Sequence, residues 1–234
     1  MSRYLLSASA AVILGGTLPA LGASSAPYCG AAAADTPSAR AYVAVRRLEA
    51  RTERSGKYGW MDVRTTYTSD GRFSYEVLQE GGSDQVRHKA LYPALAREQE
   101  LVEKGTPVYM PALLVNYDCA EPQPDQSGFM RVAIRPRQPS RHLVNGTLLW
   151  EPESGAVLRV AGRLSKSPSF WVSDVEMDWE YAPVAGVVLP LAVHARAKVK
   201  FVGPSTFDMT YRYTSVDGRP VEAAVTTGGG ESRK

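Results

Sequence analysis

Asp174, Glu176, Asp178 and Glu180 are the residues of this chain whose type and spacing come nearest to acid–base chemistry. A spacing of two places all four on one face of a strand. The residues between them, with Val175, Met177, Trp179 and Tyr181, make the other face apolar. Catalytic carboxylates work in a cleft that perturbs their acidity. An apolar counter-face turns these four outward instead, where His194, Arg196, Lys198 and Lys200 of the next apolar–polar alternation supply opposite charge. They read as a solvated acidic stripe beside a basic one, and cross-strand pairs of that kind contribute roughly 0.2–1 kcal/mol each and help to fix register. His88, His142 and His194 lack metal-ligand spacing, and Cys29 with Cys119 offers no thiolate cluster. No Gly-x-Ser-x-Gly elbow and no phosphate loop occurs. Asn145-Gly146-Thr147 fits a glycosylation acceptor. The expectation is a protein without catalytic residues, metal or cofactor.

The net charge of +3 is too small to imply a nucleic-acid partner, and no aromatic-spaced basic cluster marks a stacking platform. The first residues carry the address. Met1-Ser2-Arg3 precedes an uncharged stretch from Tyr4 to Ala34, interrupted by Gly15, Gly16 and Pro19 and followed by small residues. That is the layout of a secretory signal, with cleavage expected after Gly22 or Ala23. No second apolar run approaches the ~20 residues of a membrane span. The expected organisation is a signal peptide over 1–23, a small-residue linker over 24–38, one β domain over 39–225 and a disordered tail over 226–234. In an oxidising compartment a Cys29–Cys119 disulfide is the natural reading, two free thiols the alternative.

Between linker and tail the period is mostly two. Met61, Val63, Thr65 and Tyr67 alternate with polar residues up to Asp70-Gly71, after which Phe73, Tyr75 and Val77 resume. Placing Tyr67 and Phe73 on one face requires an odd loop, so a three-residue turn with Gly71 left-handed is expected. Ala39 to Arg54, Val108 to Cys119, Phe129 to Arg135, Leu143 to Glu151 and Ala156 to Leu164 read as further strands. The acidic strand is expected to carry Trp171 on its apolar face with Val175. Val187, Leu189, Leu191, Val193, Val199 and Phe201 should share the apolar face of the following strand, and Asp208 is placed to face Lys198. Ser83 to Lys104 breaks the alternation with near-helical spacing of Leu91, Leu95 and Val102, and Pro93 should kink or split it.

This arrangement predicts a cavity. Nine or ten strands about 4.8 Å apart and about 25 Å long present an apolar face on the order of 1,100 Å². A helix about 10 Å wide and about 30 Å long covers roughly 300 Å² of it. The sheet must therefore curl over the helix towards a partial barrel, which its own side chains fill incompletely. A second copy of the chain or a flattened, fully packed barrel would also close the deficit.

Lys166-Ser167-Pro168-Ser169-Phe170-Trp171, between the strand of Gly155 to Gly162 and the one leading to Gly186-Val187-Val188-Leu189-Pro190, resembles exported bacterial proteins of the outer-membrane lipoprotein-sorting type, the LolA/LolB-like superfamily. Gly81-Gly82-Ser83, Leu91 with Leu95, and Asn116-Tyr117 sit where that group has similar residues, and the resemblance spans about Ala39 to Val216. It implies a mainly β, curved antiparallel sheet (a half-open barrel) wrapped around one kinked helical segment. It also implies a periplasmic carrier or sensor for lipid or the acyl chains of lipoproteins, with no integral membrane span. The alternative is an envelope protein-binding regulator of the RseB-like kind, without lipid transfer. The candidate lipid-contacting residues are Leu91, Leu95, Val102, Trp150, Phe170, Trp171 and Trp179. For each, plain core packing is the competing role, and for Lys166 a solvated turn competes with a head-group contact.

Overall fold

The computed structural model describes residues 39, 41–105 and 113–221. The expected leader, linker and tail lie outside the described residues. Twelve strands form one antiparallel sheet: β1 (Tyr42–Thr52), β2 (Tyr58–Tyr67), β3 (Phe73–Gly82), β4 (Tyr117–Cys119), β5 (Gln123–Pro124), β6 (Met130–Pro136), β7 (Val144–Trp150), β8 (Val157–Leu164), β9 (Val172–Val184), β10 (Val187–Val199), β11 (Gly203–Val216) and β12 (Arg219–Pro220). Ten of them run in the order β3-β2-β1-β11-β10-β9-β8-β7-β6-β4, with β12 paired to β11 and β5 to β6. The sheet is curved and does not close, as the alternation had led us to expect.

Among the described residues the helical elements are one continuous segment and a short turn. α1 (Asp84–Val86), a π-helical turn (Arg87–Leu91) and α2 (Tyr92–Glu103) follow one another without a break, and a 3₁₀ turn (Leu114–Asn116) precedes β4. Pro93 explains the π turn. It lacks the N–H that would reach the carbonyl of Lys89, and its ring would collide with that carbonyl. The preceding turn widens, and the Tyr92 N–H bonds the Arg87 carbonyl five residues back. The strand expected over Val108 to Cys119 is found only from Tyr117. Residues 114–116 coil into the 3₁₀ turn instead, and 108–112 lie outside the described residues.

The β2–β3 turn follows the parity argument. Tyr67 pairs with Phe73, the Thr68 N–H bonds the Arg72 carbonyl at 2.9 Å, and Gly71 has φ +78° inside the three-residue loop between them.

Among the described residues the register shifts at five places, and three of them, in β9, β10 and β3, move residues off the face that simple alternation assigns them. In β9 two residues, Asp174 (φ +47°) and Val175, oppose Ala197 alone, so Trp171 leaves the face of Val175. In β10 Leu191 has no partner and is 37% exposed, whereas Val193 beyond it is buried. The first part of β10 is buried on both sides: Val187 and Leu189 pack with Ala44, Tyr213 and Val216, while Val188 joins Leu148, Val157 and Tyr181. The expectation that Leu191 shares an inward face with Val187 and Leu189 is thus corrected. In β3 Leu78 is the extra residue opposite Asp62/Val63, and it too is 37% exposed.

The backbones of two strands approach closely where Gly146 of β7 pairs with Gly162 of β8. A Cβ on Gly146 would stand 2.0 Å from the Ala161 carbonyl oxygen, and one on Gly162 2.5 Å from that of Asn145. The backbones come too close there for any side chain, which allows the sheet to fold over its inner face. Gly162→Ala should therefore destabilise the chain by about 1–3 kcal/mol, the usual cost of overpacking, read as a lower midpoint of denaturant unfolding at unchanged slope.

Candidate functional site

Three clusters build the interior. Leu48, Met61 and Val63 of β1 and β2 meet Val86, Leu91 and Leu95 of the helical segment. Leu114, Tyr117, Val132, Ile134, Val144 and Leu148 close the other end over β6 to β8. Tyr117 is fully buried there; its hydroxyl accepts the Val144 N–H at 3.0 Å, and burial pushes the phenol up to about 12, so it stays neutral. A third cluster, around Tyr213, packs the start of β1 against β10.

A cavity of about 300 Å³ lies between the first two clusters. Leu95 and Leu101 of α2 form one wall, and Leu113 and Leu164 flank it. Its floor is Met177, Trp179 and Tyr181 of β9, Val193 of β10, and Phe207, Met209 and Tyr211 of β11, with Leu48 of β1. The polar lining is Arg97, Glu98, Arg141 and His142. An apolar chamber with a few polar groups is the usual form of a small-molecule site, and its volume is at the low end of that range.

One ion pair joins the wall to the floor. Arg46 of β1 is fully buried, and its guanidinium donates to both carboxylate oxygens of Glu98 at 2.5 and 2.9 Å and to the Tyr42 hydroxyl at 3.2 Å. The cation stands over the Tyr211 ring at 4.6 Å and the Phe73 ring at 5.2 Å. Burial works against the charge, but Tyr211, Glu98 and Tyr42 hold Arg46 protonated. Arg46 Nε is buried without a hydrogen-bond partner, so the cation depends on Glu98.

The mouth is cationic. Arg97 Nη2 stands 3.4 Å from His142 Nε2, a geometry in which the guanidinium donates to a neutral imidazole. Burial, then the charges of Arg97 and Arg141, hold His142 below its ordinary 6.5. Arg97 also pairs with Glu100, whereas Arg141 has no ion-pair partner among the described residues.

Of the residues singled out from the sequence, Leu95 and Trp179 line the cavity. Leu91 is fully buried between helix and sheet, Val102 is buried on α2, and Trp150 packs half-buried on the Leu148 cluster. Phe170 and Trp171 stand apart from the cavity, 74% and 54% exposed, because the bulge at Asp174 turns this strand entrance outward. The signal for Met177, Tyr181, Phe207, Met209 and Tyr211 was in the alternation. The mouth had none, because Arg97 and His142 are 45 residues apart on different elements.

On the outer face three of the four stripe carboxylates form ion pairs, and two of the partners come from β8 rather than, as expected, from the following strand. Glu176 binds Arg163 at 2.8 Å, Asp174 binds Lys198 at 3.0 Å and Asp178 binds Arg159. Asp208 pairs with His194 at 2.7 Å, not with Lys198, because the register sets Lys198 opposite Pro204. Among the described residues no group of His, Cys, Asp and Glu is placed to hold a metal, and no helix is long and apolar enough to cross a membrane. Cys119 is disulfide-bonded, and Cys29, the chain's only other cysteine, lies outside the described residues.

No family model matches the sequence, and no curated protein matches it. Among solved structures, a DUF1329 family protein from Desulfovibrio piger is similar with a TM-score of 0.42 at 7% identity, over 79% of this chain and 88% of that one.

Removing Glu98 leaves the Arg46 charge buried and uncompensated, so Glu98→Ala should cost about 3 kcal/mol or more in denaturant unfolding, and Arg46→Met combined with Glu98→Leu should recover most of it. His142 gives a pH signature of defined sign. With its folded pKa depressed, the folded chain binds fewer protons than the unfolded one, so stability is full above pH 6.5 and declines as pH falls through that value. Thermal melts of His142→Asn between pH 8 and 5 should decline less steeply than those of the parent.

Proposed function

We propose that the chain is an exported, non-enzymatic binding protein that takes one apolar chain, of a lipid or of a lipidated partner, into the cavity between α2 and β8 to β11. The carrying observation is an apolar chamber entered past Arg97, Arg141 and His142. The chamber removes the tail from water at roughly 25 cal/mol per Å² of apolar surface. Arg141, without an ion-pair partner among the described residues, favours at the mouth a tail ending in an anionic group, a carboxylate or a phosphate. The leader-like N-terminus supports a periplasmic setting, and the likeness of Lys166 to Trp171 to lipoprotein-sorting proteins supports a role in handling acyl chains.

Ala94 lines the cavity from the helix, so Ala94→Trp should fill it. A fluorescent fatty acid titrated into the parent should bind and be displaced by lauric acid, and the variant should bind at least tenfold more weakly at an unchanged melting temperature. Parent protein that neither binds the probe nor carries acyl adducts in native mass spectrometry would exclude the proposal. Capture of a defined envelope protein by lipid-free chain would favour the regulator reading instead.

A further inference from the structure

A second surface lies outside the cavity, at the end of the sheet where β8 leads into β9 and β10 turns into β11. Phe170, Trp171 and Phe201 are 74%, 54% and 85% exposed and touch one another, with ring centroids 5.2 Å apart for Phe170–Trp171 and 6.0 Å for Trp171–Phe201. Three large aromatics projecting together into water are costly to solvate, yet the turn is built to present them. The Lys200 N–H bonds the Trp171 carbonyl at 2.8 Å, which ties the two loops together. Phe201 holds φ +66°, a left-handed conformation that costs a non-glycine residue free energy and is retained only where surroundings impose it.

The cations are gathered at the same end. Lys200 Nζ sits 3.1 Å from the Phe170 ring centroid, and Lys166 lies in the loop that carries Phe170. The β1–β2 turn is adjacent: the Glu53 N–H bonds the Pro204 carbonyl at 2.9 Å, and Arg54 packs beside Gly203. That turn brings exposed Arg54 to the tip beside one acid, Glu53, whereas the Lys57 amine donates to the Gln85 side chain at 2.5 Å, on the side of the helical segment. Lys198 is present too, neutralised by Asp174.

We infer that this aromatic tip, flanked by Lys166, Lys200 and Arg54, is a docking surface for an anionic lipid bilayer. Phe and Trp rings enter the head-group layer, where an apolar body with a wet edge is stable. The basic flank is attracted to anionic lipid, and the combination of apolar insertion with electrostatic attraction gives reversible surface binding. Charge decides for lipid over a second copy of the chain: two such tips facing each other would oppose cation to cation. The surface is independent of the cavity, so either reading stands if the other fails.

The test is flotation of the chain, purified as its host processes it and with its N-terminus verified by mass spectrometry. Vesicles of equal parts phosphatidylglycerol and phosphatidylcholine are compared with phosphatidylcholine alone. Binding is expected to the anionic vesicles only. It should weaken as salt rises from about 0.1 to about 1 M, which shortens the screening length from about 10 to 3 Å. Phe170→Ser with Trp171→Ser and Phe201→Ser should lower partition at least tenfold, as should Gln at Lys166, Lys200 and Arg54 together. Ala94→Trp should leave it unchanged. All the tip side chains replaced are exposed, so circular dichroism melts should match the parent. Failure of the parent to float, or flotation of the triple-serine variant to the parent's extent, overturns the inference. So does a parent dimer in sedimentation that the serine variant abolishes, which would assign the tip to a second copy.

Discussion

A single buried cation–carboxylate pair decides where the helix lies. The inner face of β1 is apolar except for Arg46, and burying a guanidinium there is tolerable only because Glu98 reaches it from α2. The pair, with Tyr42 and the Tyr211 ring, holds α2 over β1 and its neighbours. The hydrophobic effect alone is non-directional and would accept many helix positions. A bidentate charged contact accepts few. The cavity is what remains between this pinned helix and the separate cluster around Leu114 and Tyr117.

Curvature is the second requirement. A flat sheet would leave the floor residues Met177, Trp179 and Phe207 facing open solvent across from nothing. The Gly146–Gly162 approach and the bulges in β3, β9 and β10 bend the strands around the helix. The same bulges have a second effect. By moving Trp171 off the inner face, the one at Asp174 produces an exposed aromatic end on the sheet.

Much of the fold was legible in the residues. The alternation through Met61 to Val77, through Val175 to Tyr181 and through Phe207 to Tyr213 located three long strand regions and their inner faces, because burial on one face of a strand imposes a period of two. The odd β2–β3 loop followed from parity alone. Leu191 and Trp171 were misplaced for a reason equally physical: one extra residue inverts every assignment on one side of it, and neither Asp174 nor Leu191 is a residue type that announces a bulge. Asp208 was matched to Lys198 rather than His194 because register across the β10–β11 turn depends on that loop's geometry.

The chain's own order of residues thus determined most of the secondary structure, the helical segment over Asp84–Glu103 with its irregularity before Pro93, the charged outer face and an excess of apolar strand surface. These are local or periodic properties, set by neighbours a few positions apart. The position of the helix, the volume left beside it, the gathering of Arg97, Arg141 and His142 at its mouth and the projection of Phe170, Trp171 and Phe201 were decided only in three dimensions. Each depends on groups far apart in the chain meeting at particular distances, and the free energy of such meetings has no imprint on local pattern.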